Sequence, residues 1–124
     1  MVTINLALTV PLNPPGSHPI ITPTQAWSAL VRKARQPQDF VPVVSSCTIL
    51  SETPQSISAE VYFHPGVGHA RVIRETCTFH PPCRLDYDME DGSTAVNVVS
   101  ETPEGELMLT FVFLVGASRC RGGE

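Results

Sequence analysis

The chain has 124 residues, and its 8 basic and 12 acidic side chains give it a net charge of −4. This length fits one domain that is large enough to bury its own hydrophobic core. The mild acidity, without a cluster of lysine or arginine, argues against nucleic acid or an anionic membrane surface as a partner, and no apolar run is long enough to span a membrane.

The first element is a predicted strand, and the second is a predicted helix. Residues 2–10 alternate between apolar and polar side chains, which is typical of a half-buried strand. Thr22 is a good N-cap, and Gln25 follows it at the spacing of a capping box. From Trp27 onward, apolar side chains recur at helical spacing, and Pro37 closes the helix.

Three basic residues, Arg32, Lys33 and Arg35, stand near the end of this helix. Positive charge is favourable there because the helix macrodipole is negative at its carboxyl end. We therefore interpret these side chains as stabilising the helix, and we expect a short second helical turn around residues 37–42.

The rest of the chain predicts about six further strands in an antiparallel meander. Turn signals that contain glycine or proline separate the segments. The fold class is therefore α+β, a curved antiparallel sheet of six to seven strands with helical material on one face. We expect a single domain over residues 1–116 and a disordered tail over 117–124. The predicted strands cover residues 45–52, 56–64, 69–79, 84–89, 93–101 and 106–116.

Five strings in this order carry a resemblance that covers nearly the whole chain, roughly residues 3–115. They are WSALVRKAR (27–35), FVPVVSSC (40–47), RETCTFHPPCRLDYDM (74–89), GSTAVNVVSE (92–101) and GELMLTFVF (105–113). The chain resembles the SRPBCC superfamily of START domains, birch-pollen-type allergens and polyketide cyclases. Within it, the chain is most similar to the AtaL-like branch, known from fungal secondary-metabolism clusters and from bacteria. The resemblance implies a helix-grip fold.

One departure concerns the carboxyl end. Members of the superfamily normally end in a long helix that lies across the concave sheet, and residues 114–124 cannot form such a helix. We therefore expect that the long C-terminal helix is missing: the domain is truncated, its tail has diverged, or a partner subunit supplies the cover. Because an uncovered apolar sheet face favours association, we expect a homodimer that covers the concave face.

Two polar residues within predicted strands are the catalytic candidates. Glu75 shares a strand face with Ile73, Cys77 and Phe79, so a Glu75 carboxylate facing a cavity could act as general acid or base. Alternatively it faces solvent or pairs with an arginine. Asn97 stands between two valines, where it either hydrogen-bonds a ligand or forms a structural bridge.

Five residues are candidates for contact with an apolar ligand. Trp27 lies on the apolar helix face, and Thr110 interrupts the apolar final strand. The alternative for the aromatic members is ordinary core packing. The ligand-binding candidates are Trp27, Ile73, Phe79, Thr110 and Phe111.

The sequence predicts neither a metal site nor a cofactor. Cys77, His80 and Cys83 have a spacing found in zinc sites, but Pro81 and Pro82 separate the last two and no second paired cluster exists. No nucleotide-binding loop, dinucleotide fingerprint or hydrolase elbow is present.

Four cysteines complete the composition: Cys47, Cys77, Cys83 and Cys120. We expect free thiols because the amino-terminal segment lacks the basic and apolar regions of a secretory signal. The same observation favours a cytoplasmic location.

The resemblance implies that the protein binds a bulky hydrophobic small molecule between the sheet and the helix. The expected ligand is a polyketide- or terpenoid-like intermediate of secondary metabolism. If the protein is an enzyme, the resemblance favours a cofactor-free cyclase, isomerase or lyase that promotes a non-redox cyclisation, isomerisation or elimination. The alternatives are a carrier without catalysis and a structural dimer without a ligand cavity.

Overall fold

The computed structural model describes residues 4–66 and 71–115. These residues form one α-helix, one short 3₁₀ helix and seven strands. In chain order the elements are β1 (Ile4–Pro11), α1 (Pro23–Arg35), the 3₁₀ helix (Pro37–Asp39), β2 (Val44–Thr53), β3 (Ser56–Phe63), β4 (Val72–His80), β5 (Arg84–Met89), β6 (Thr94–Glu101) and β7 (Leu107–Val115).

The capping box at the start of α1 is confirmed. The Thr22 hydroxyl accepts a hydrogen bond from the Gln25 backbone N–H at 3.1 Å, and the Thr22 N–H donates to Gln25 Oε1 at 3.0 Å. These bonds satisfy two of the backbone groups that a helix start leaves unpaired. The helix ends at Arg35, and the 3₁₀ helix after it occupies part of the second turn predicted for residues 37–42.

The seven strands form one antiparallel sheet in the order β1-β7-β6-β5-β4-β3-β2. Strands β2 to β7 form the expected meander, and β1 pairs with β7 along its whole length. Gly92 and Gly105 adopt positive φ in the turns before β6 and β7, where a side chain would be strained. This architecture confirms the α+β helix-grip class.

The hydrophobic core lies between α1 and the concave face of the sheet. Leu85 on β5 is completely buried, and Ile57 and Cys77 on neighbouring strands are almost as inaccessible. Burial of each large aliphatic side chain stabilises the fold by about 2 kcal/mol. The helix packs on these strands through Ala26, Leu30 and Ala34.

Strand β1 is more exposed than its alternation predicts. Leu6 and Leu8 are 56% and 53% exposed, so the expectation of a half-buried strand is not met within the described residues. The core formed by α1 ends at β7, and no other described element covers β1. Phe113 and Leu114 on β7 are also exposed.

The missing C-terminal helix and the disordered tail over 117–124 remain expectations, because the described residues end at Val115. Residues 67–70, which the predicted strand 69–79 includes in part, lie outside the described residues as well. Within the described ranges, no helix has both the length and the apolar character needed to cross a membrane.

Candidate functional site

A cavity of about 650 Å³ lies between α1 and the part of the sheet formed by β6 and β7. The segment after the 3₁₀ helix closes one side of it. A volume of this size fits a small-molecule site. Its lining residues are Leu12, Ile21, Gln25, Ala26, Ala29, Leu30, Lys33, Phe40, Val41, Val99, Leu109 and Phe111.

Lys33 is the single ionisable side chain among the described residues that line this cavity. Its Nζ donates a hydrogen bond to Asn97 Oδ1 at 3.0 Å. The same atom lies 5.2 Å from the centre of the Phe111 ring and 5.9 Å from the centre of the Tyr87 ring. Two aromatic faces and one amide oxygen therefore surround the ammonium group.

Helix geometry places Lys33 over the sheet. Residues 26, 30 and 33 follow the i, i+4, i+7 spacing, so Lys33 shares the inner face of α1 with Ala26 and Leu30. Burial lowers the pKa of Lys33, and the negative charge of Glu75 opposes this by raising it. The inner face of the helix thus carries one desolvated amine.

Asn97 lies in the middle of β6 and is 3% exposed. In the sheet register it stands between Leu85 on β5 and Phe111 on β7. A buried amide requires hydrogen-bond partners, and Lys33 supplies one of them across 64 positions of sequence. The bond fixes the end of the lysine side chain against the sheet.

Glu75 lies on β4 between Ala59 and Met89 in register, on the side of the sheet that faces α1. Burial raises the pKa of its carboxyl group, and the positive charge of Lys33 partly offsets that rise. Among residues 4–66 and 71–115, no hydrogen bond or ion pair holds this carboxylate. It is therefore a partly buried acid without a hydrogen-bond partner among these residues, and it is not one of the described residues that line the cavity.

Cys77 and Tyr87 are paired across β4 and β5 beside this acid. Burial raises the pKa of the Cys77 thiol to about 12, and burial also raises the pKa of Tyr87. The thiol and the hydroxyl interact, yet the Tyr87 oxygen forms no hydrogen bond of ordinary geometry with any described residue. Both groups stay protonated at neutral pH.

The structure separates the ligand-binding candidates. Phe111 lines the cavity. Trp27 packs edge-on against Phe79 at 6.4 Å between ring centres, and neither is among the described lining residues. Ile73 lies on β4 opposite Val61 and is also outside the lining.

Thr110 is on the other face of β7. Its hydroxyl hydrogen-bonds the Thr9 hydroxyl of β1 at 2.8 Å, whereas the neighbouring Leu109 and Phe111 line the cavity. Side chains alternate along a strand, so Thr110 points away from the cavity. This placement corrects its assignment as a ligand-binding candidate.

The Cys77, His80 and Cys83 spacing does not form a metal centre in the part of the chain that the structure describes. Cys77 is buried under the helix, whereas His80 Nε2 lies 3.2 Å from Asp86 Oδ2 in an exposed pair. Residues 77 and 80 differ by an odd number on one strand and therefore face opposite sides of the sheet.

Lys33 is the residue that the sequence pattern did not single out. Its place at the end of α1 suggested only an interaction with the macrodipole. The available signal was its spacing of three from Leu30 and seven from Ala26, which puts a charge on an otherwise apolar face. Its contact with Asn97 depends on how the helix crosses the sheet and leaves no pattern in the sequence.

Solved structures support the fold. The chain matches the Zhui aromatase/cyclase from Streptomyces sp. R1128 with a TM-score of 0.69 and 14% identity, over 98% of this chain and 72% of that one. It also matches the di-domain ARO/CYC proteins StfQ of the steffimycin pathway (TM-score 0.69, 14% identity) and BexL of the BE-7585A pathway (TM-score 0.67, 15% identity). These matches cover 90% and 91% of this chain and 36% of each di-domain protein, so the chain spans about a third of their length.

Sequence comparison gives the family. A search of the curated proteins found no match. The family model described as AtaL, acetylaranotin biosynthesis cluster protein L, matches residues 6–124. Because this match covers nearly the whole chain, and the fold agrees with it, the chain belongs to the AtaL family.

Proposed function

We propose that the chain binds a bulky, mainly apolar intermediate of secondary metabolism in the cavity beneath α1. In this proposal the ligand is polyketide- or terpenoid-like, and the protein promotes its non-redox cyclisation, isomerisation or elimination. The observation that carries the proposal is the cavity of about 650 Å³, whose lining is apolar except for Lys33 and Gln25. Membership of the AtaL family and the likeness to aromatase/cyclase folds support the reaction class.

The proposed chemistry needs one acid–base group and one polarising group. Glu75 is not among the described residues that line the cavity, so the proposal requires a ligand that extends past Lys33 towards β4. The Glu75 carboxylate then removes a proton from a ligand carbon that is flanked by two carbonyl groups. The resulting enolate carbon attacks a second carbonyl carbon, and the new alkoxide takes the proton back from the Glu75 carboxyl group. Loss of water then completes the reaction without net oxidation or reduction. In this proposal Asn97 polarises the ligand oxygen through its amide N–H groups, since its Oδ1 already accepts from Lys33. Asn97 is 3% exposed and is not among the described lining residues, so this role also requires the ligand to reach past Lys33.

The raised pKa of Glu75 supports its proposed role. Burial raises the pKa of the Glu75 carboxyl group, and a general acid–base group is most effective when its pKa lies close to the working pH. The apolar cavity also holds a flexible ligand in one orientation. Fixing the reacting groups in this way accelerates an intramolecular step even without an acid or base.

Ligand binding can be tested by filling the cavity. Ala29 and the adjacent Ser28 are both exposed on the helix, but only Ala29 lines the cavity. N-phenyl-1-naphthylamine, an uncharged apolar fluorophore, should bind the wild-type protein and Ser28→Trp with similar affinity. Ala29→Trp should weaken its binding at least about tenfold, a loss of about 1.4 kcal/mol. Equal binding by all three proteins would contradict a ligand site in this cavity.

Catalysis can be tested with a synthetic poly-β-ketone, whose cyclised products are separated by chromatography. The wild-type protein should change the product distribution from that of the spontaneous reaction. Glu75→Gln should remove this effect while N-phenyl-1-naphthylamine still binds. If the wild-type protein binds the fluorophore but leaves the product distribution unchanged, the chain is a carrier and the catalytic part of the proposal is wrong.

We also propose a homodimer in which a second copy covers the exposed apolar side chains of β1 and β7. The supporting observation is the exposure of Leu6, Leu8 and Phe113, which share one face in the register of these strands. Size-exclusion chromatography with light scattering should give twice the monomer mass, and Leu8→Glu should give a monomer. A monomeric wild-type protein would contradict this part.

Free thiols at Cys47, Cys77 and Cys83 support a reducing, cytoplasmic location.

A further inference from the structure

The basic residues of α1 differ in what neutralises them. Arg32 pairs with Asp39 at 3.4 Å, and Arg35 pairs with Glu52. Lys33, which points inward between them, forms no ion pair with any residue in the described ranges. The cation that faces the cavity is therefore the one on this helix that lacks a carboxylate partner.

An ammonium group has three N–H donors, and the surroundings of Lys33 occupy only part of that capacity. Asn97 Oδ1 accepts one hydrogen bond, and the faces of Tyr87 and Phe111 give weaker electrostatic support. Glu75 acts on Lys33 through its field without contact. A partly buried cation that is satisfied in this incomplete way gains from an anionic oxygen supplied by a ligand.

We propose that Lys33 binds the anionic group of the ligand, and that the cavity accepts apolar acids in preference to neutral apolar molecules of the same shape. The ligand class is a bulky ring or chain that carries a carboxylate or enolate oxygen within reach of Lys33 Nζ. The inference rests on the proposed function, since it assigns a chemical class to the ligand of that same cavity.

The geometry supports this assignment in two further respects. No other charged side chain is among the described lining residues, so an anion bound at Lys33 touches no carboxylate of the lining; Glu75 lies outside the lining and acts on Lys33 only through its field. The hydrogen bond to Asn97 fixes the ammonium group before the ligand arrives, which lowers the entropic cost of forming the new contact. Asn97 is in this respect a positioning residue for Lys33.

Two fluorophores that differ by one charged group provide the test. Anilinonaphthalene sulfonate is N-phenyl-1-naphthylamine with one added sulfonate, which here serves as the anion. Lys33→Met should weaken the binding of the anionic probe about tenfold or more, while the affinity for the neutral probe stays within about twofold. Lys33→Arg should retain most of the affinity for the anionic probe, because the positive charge remains.

The matched control is Arg35→Met, which removes a positive charge from the exposed side of the same helix. This variant should leave the affinity of both probes unchanged, and near-ultraviolet circular dichroism should show native packing in every variant. In the wild-type protein, the anionic probe should bind more weakly once the pH exceeds the pKa of Lys33, and the neutral probe should show no such loss. The titratable groups that face Lys33 are Glu75 and Cys77 on β4 and Tyr87 on β5.

Three outcomes would overturn the inference. Equal weakening of both probes by Lys33→Met would show that the side chain contributes shape and not charge. Unchanged binding of the anionic probe in that variant, or flat binding across the pH range in the wild type, would place the anion elsewhere. If the neutral probe does not bind the wild-type protein at all, the ligand cavity itself is refuted, which is a failure of the proposed function.

Discussion

The hydrogen bond between Lys33 and Asn97 can be measured by a double-mutant cycle. Asn97→Leu keeps the approximate volume of the side chain but leaves the ammonium group without its acceptor. A hydrogen bond to a charged group contributes about 1.5–3 kcal/mol, so we expect a loss of about 2 kcal/mol in the free energy of unfolding. Lys33→Met leaves the Asn97 oxygen unpaired in a site that is 3% exposed, at a cost of about 1–3 kcal/mol.

The variant that carries both substitutions should be nearly as stable as the wild-type protein. In this variant no buried cation and no buried amide oxygen is left unpaired, because both groups are gone. The apolar side chains that replace them pack against Phe111 and Tyr87. Since the two single losses are about 2 and about 1–3 kcal/mol, the coupling energy of the cycle is expected to be about 3–5 kcal/mol.

Urea unfolding at neutral pH measures these differences, and Trp27 is a suitable reporter because it is the single tryptophan and packs against Phe79. With a slope of about 1–3 kcal/mol per molar urea, a loss of about 2 kcal/mol moves the midpoint by roughly 1 M. The control cycle uses Thr9→Val and Thr110→Val, whose hydrogen bond is exposed, so its coupling should stay at or below about 1 kcal/mol. Additive losses in the Lys33 and Asn97 cycle would refute the reasoning.

Three further predictions concern stability and reactivity. Because the pKa of Glu75 is raised in the folded protein, its carboxyl group loses the proton at a lower pH in the unfolded chain. The stability of the wild-type protein relative to Glu75→Gln should therefore fall as the pH rises from 4.5 to the folded pKa, and then level off. Urea unfolding at a series of pH values measures this difference. Leu85→Ala removes a completely buried side chain and should cost about 2–5 kcal/mol by the same assay, whereas Leu50→Ala on the exposed part of β2 should cost under about 0.5 kcal/mol. Brief iodoacetamide treatment followed by peptide mass spectrometry should label the exposed Cys83 and spare the buried Cys77, whose thiol has a pKa of about 12.

Each of these predictions has a contrary result. A stability difference between wild type and Glu75→Gln that rises with pH would mean that the folded state favours the carboxylate. Similar losses for Leu85→Ala and Leu50→Ala would contradict the position of the core beneath α1. Equal labelling of Cys77 and Cys83 in the folded protein would show that the concave face is open to the reagent.

Local patterns in the sequence predict most of the fold. The capping box at Thr22 and Gln25 places the start of α1 correctly, because it depends on contacts within one turn. The sequence pattern places all seven strands within a few residues of their observed bounds. It can do so because successive side chains of a strand face opposite sides of the sheet, so the pattern of apolar and polar residues marks the strand. Alternation does not indicate which strand lies at an edge of the sheet. Leu6 and Leu8 are exposed because β1 is such an edge strand, and this position depends on long-range pairing.

The candidate site was less predictable for the same reason. Glu75 and Asn97 stood out as polar residues within apolar strands, and the structure brings both to the side of the sheet that faces α1. Thr110 stood out in the same way but lies on the other face, because side chains alternate along a strand and its neighbour Phe111 faces the cavity. Lys33 joined the site through a contact 64 positions away, which no local pattern encodes.

The central claim is that an apolar ligand occupies the cavity between α1 and the sheet. The most direct measurement is a set of intermolecular nuclear Overhauser effects between bound N-phenyl-1-naphthylamine and the methyl groups of selectively labelled protein. We expect contacts from the probe to the methyl groups of Leu30, Val99 and Leu109, which line the cavity from the helix and the sheet. Contacts confined to Leu6 and Leu8 on the exposed face of β1 would contradict the account.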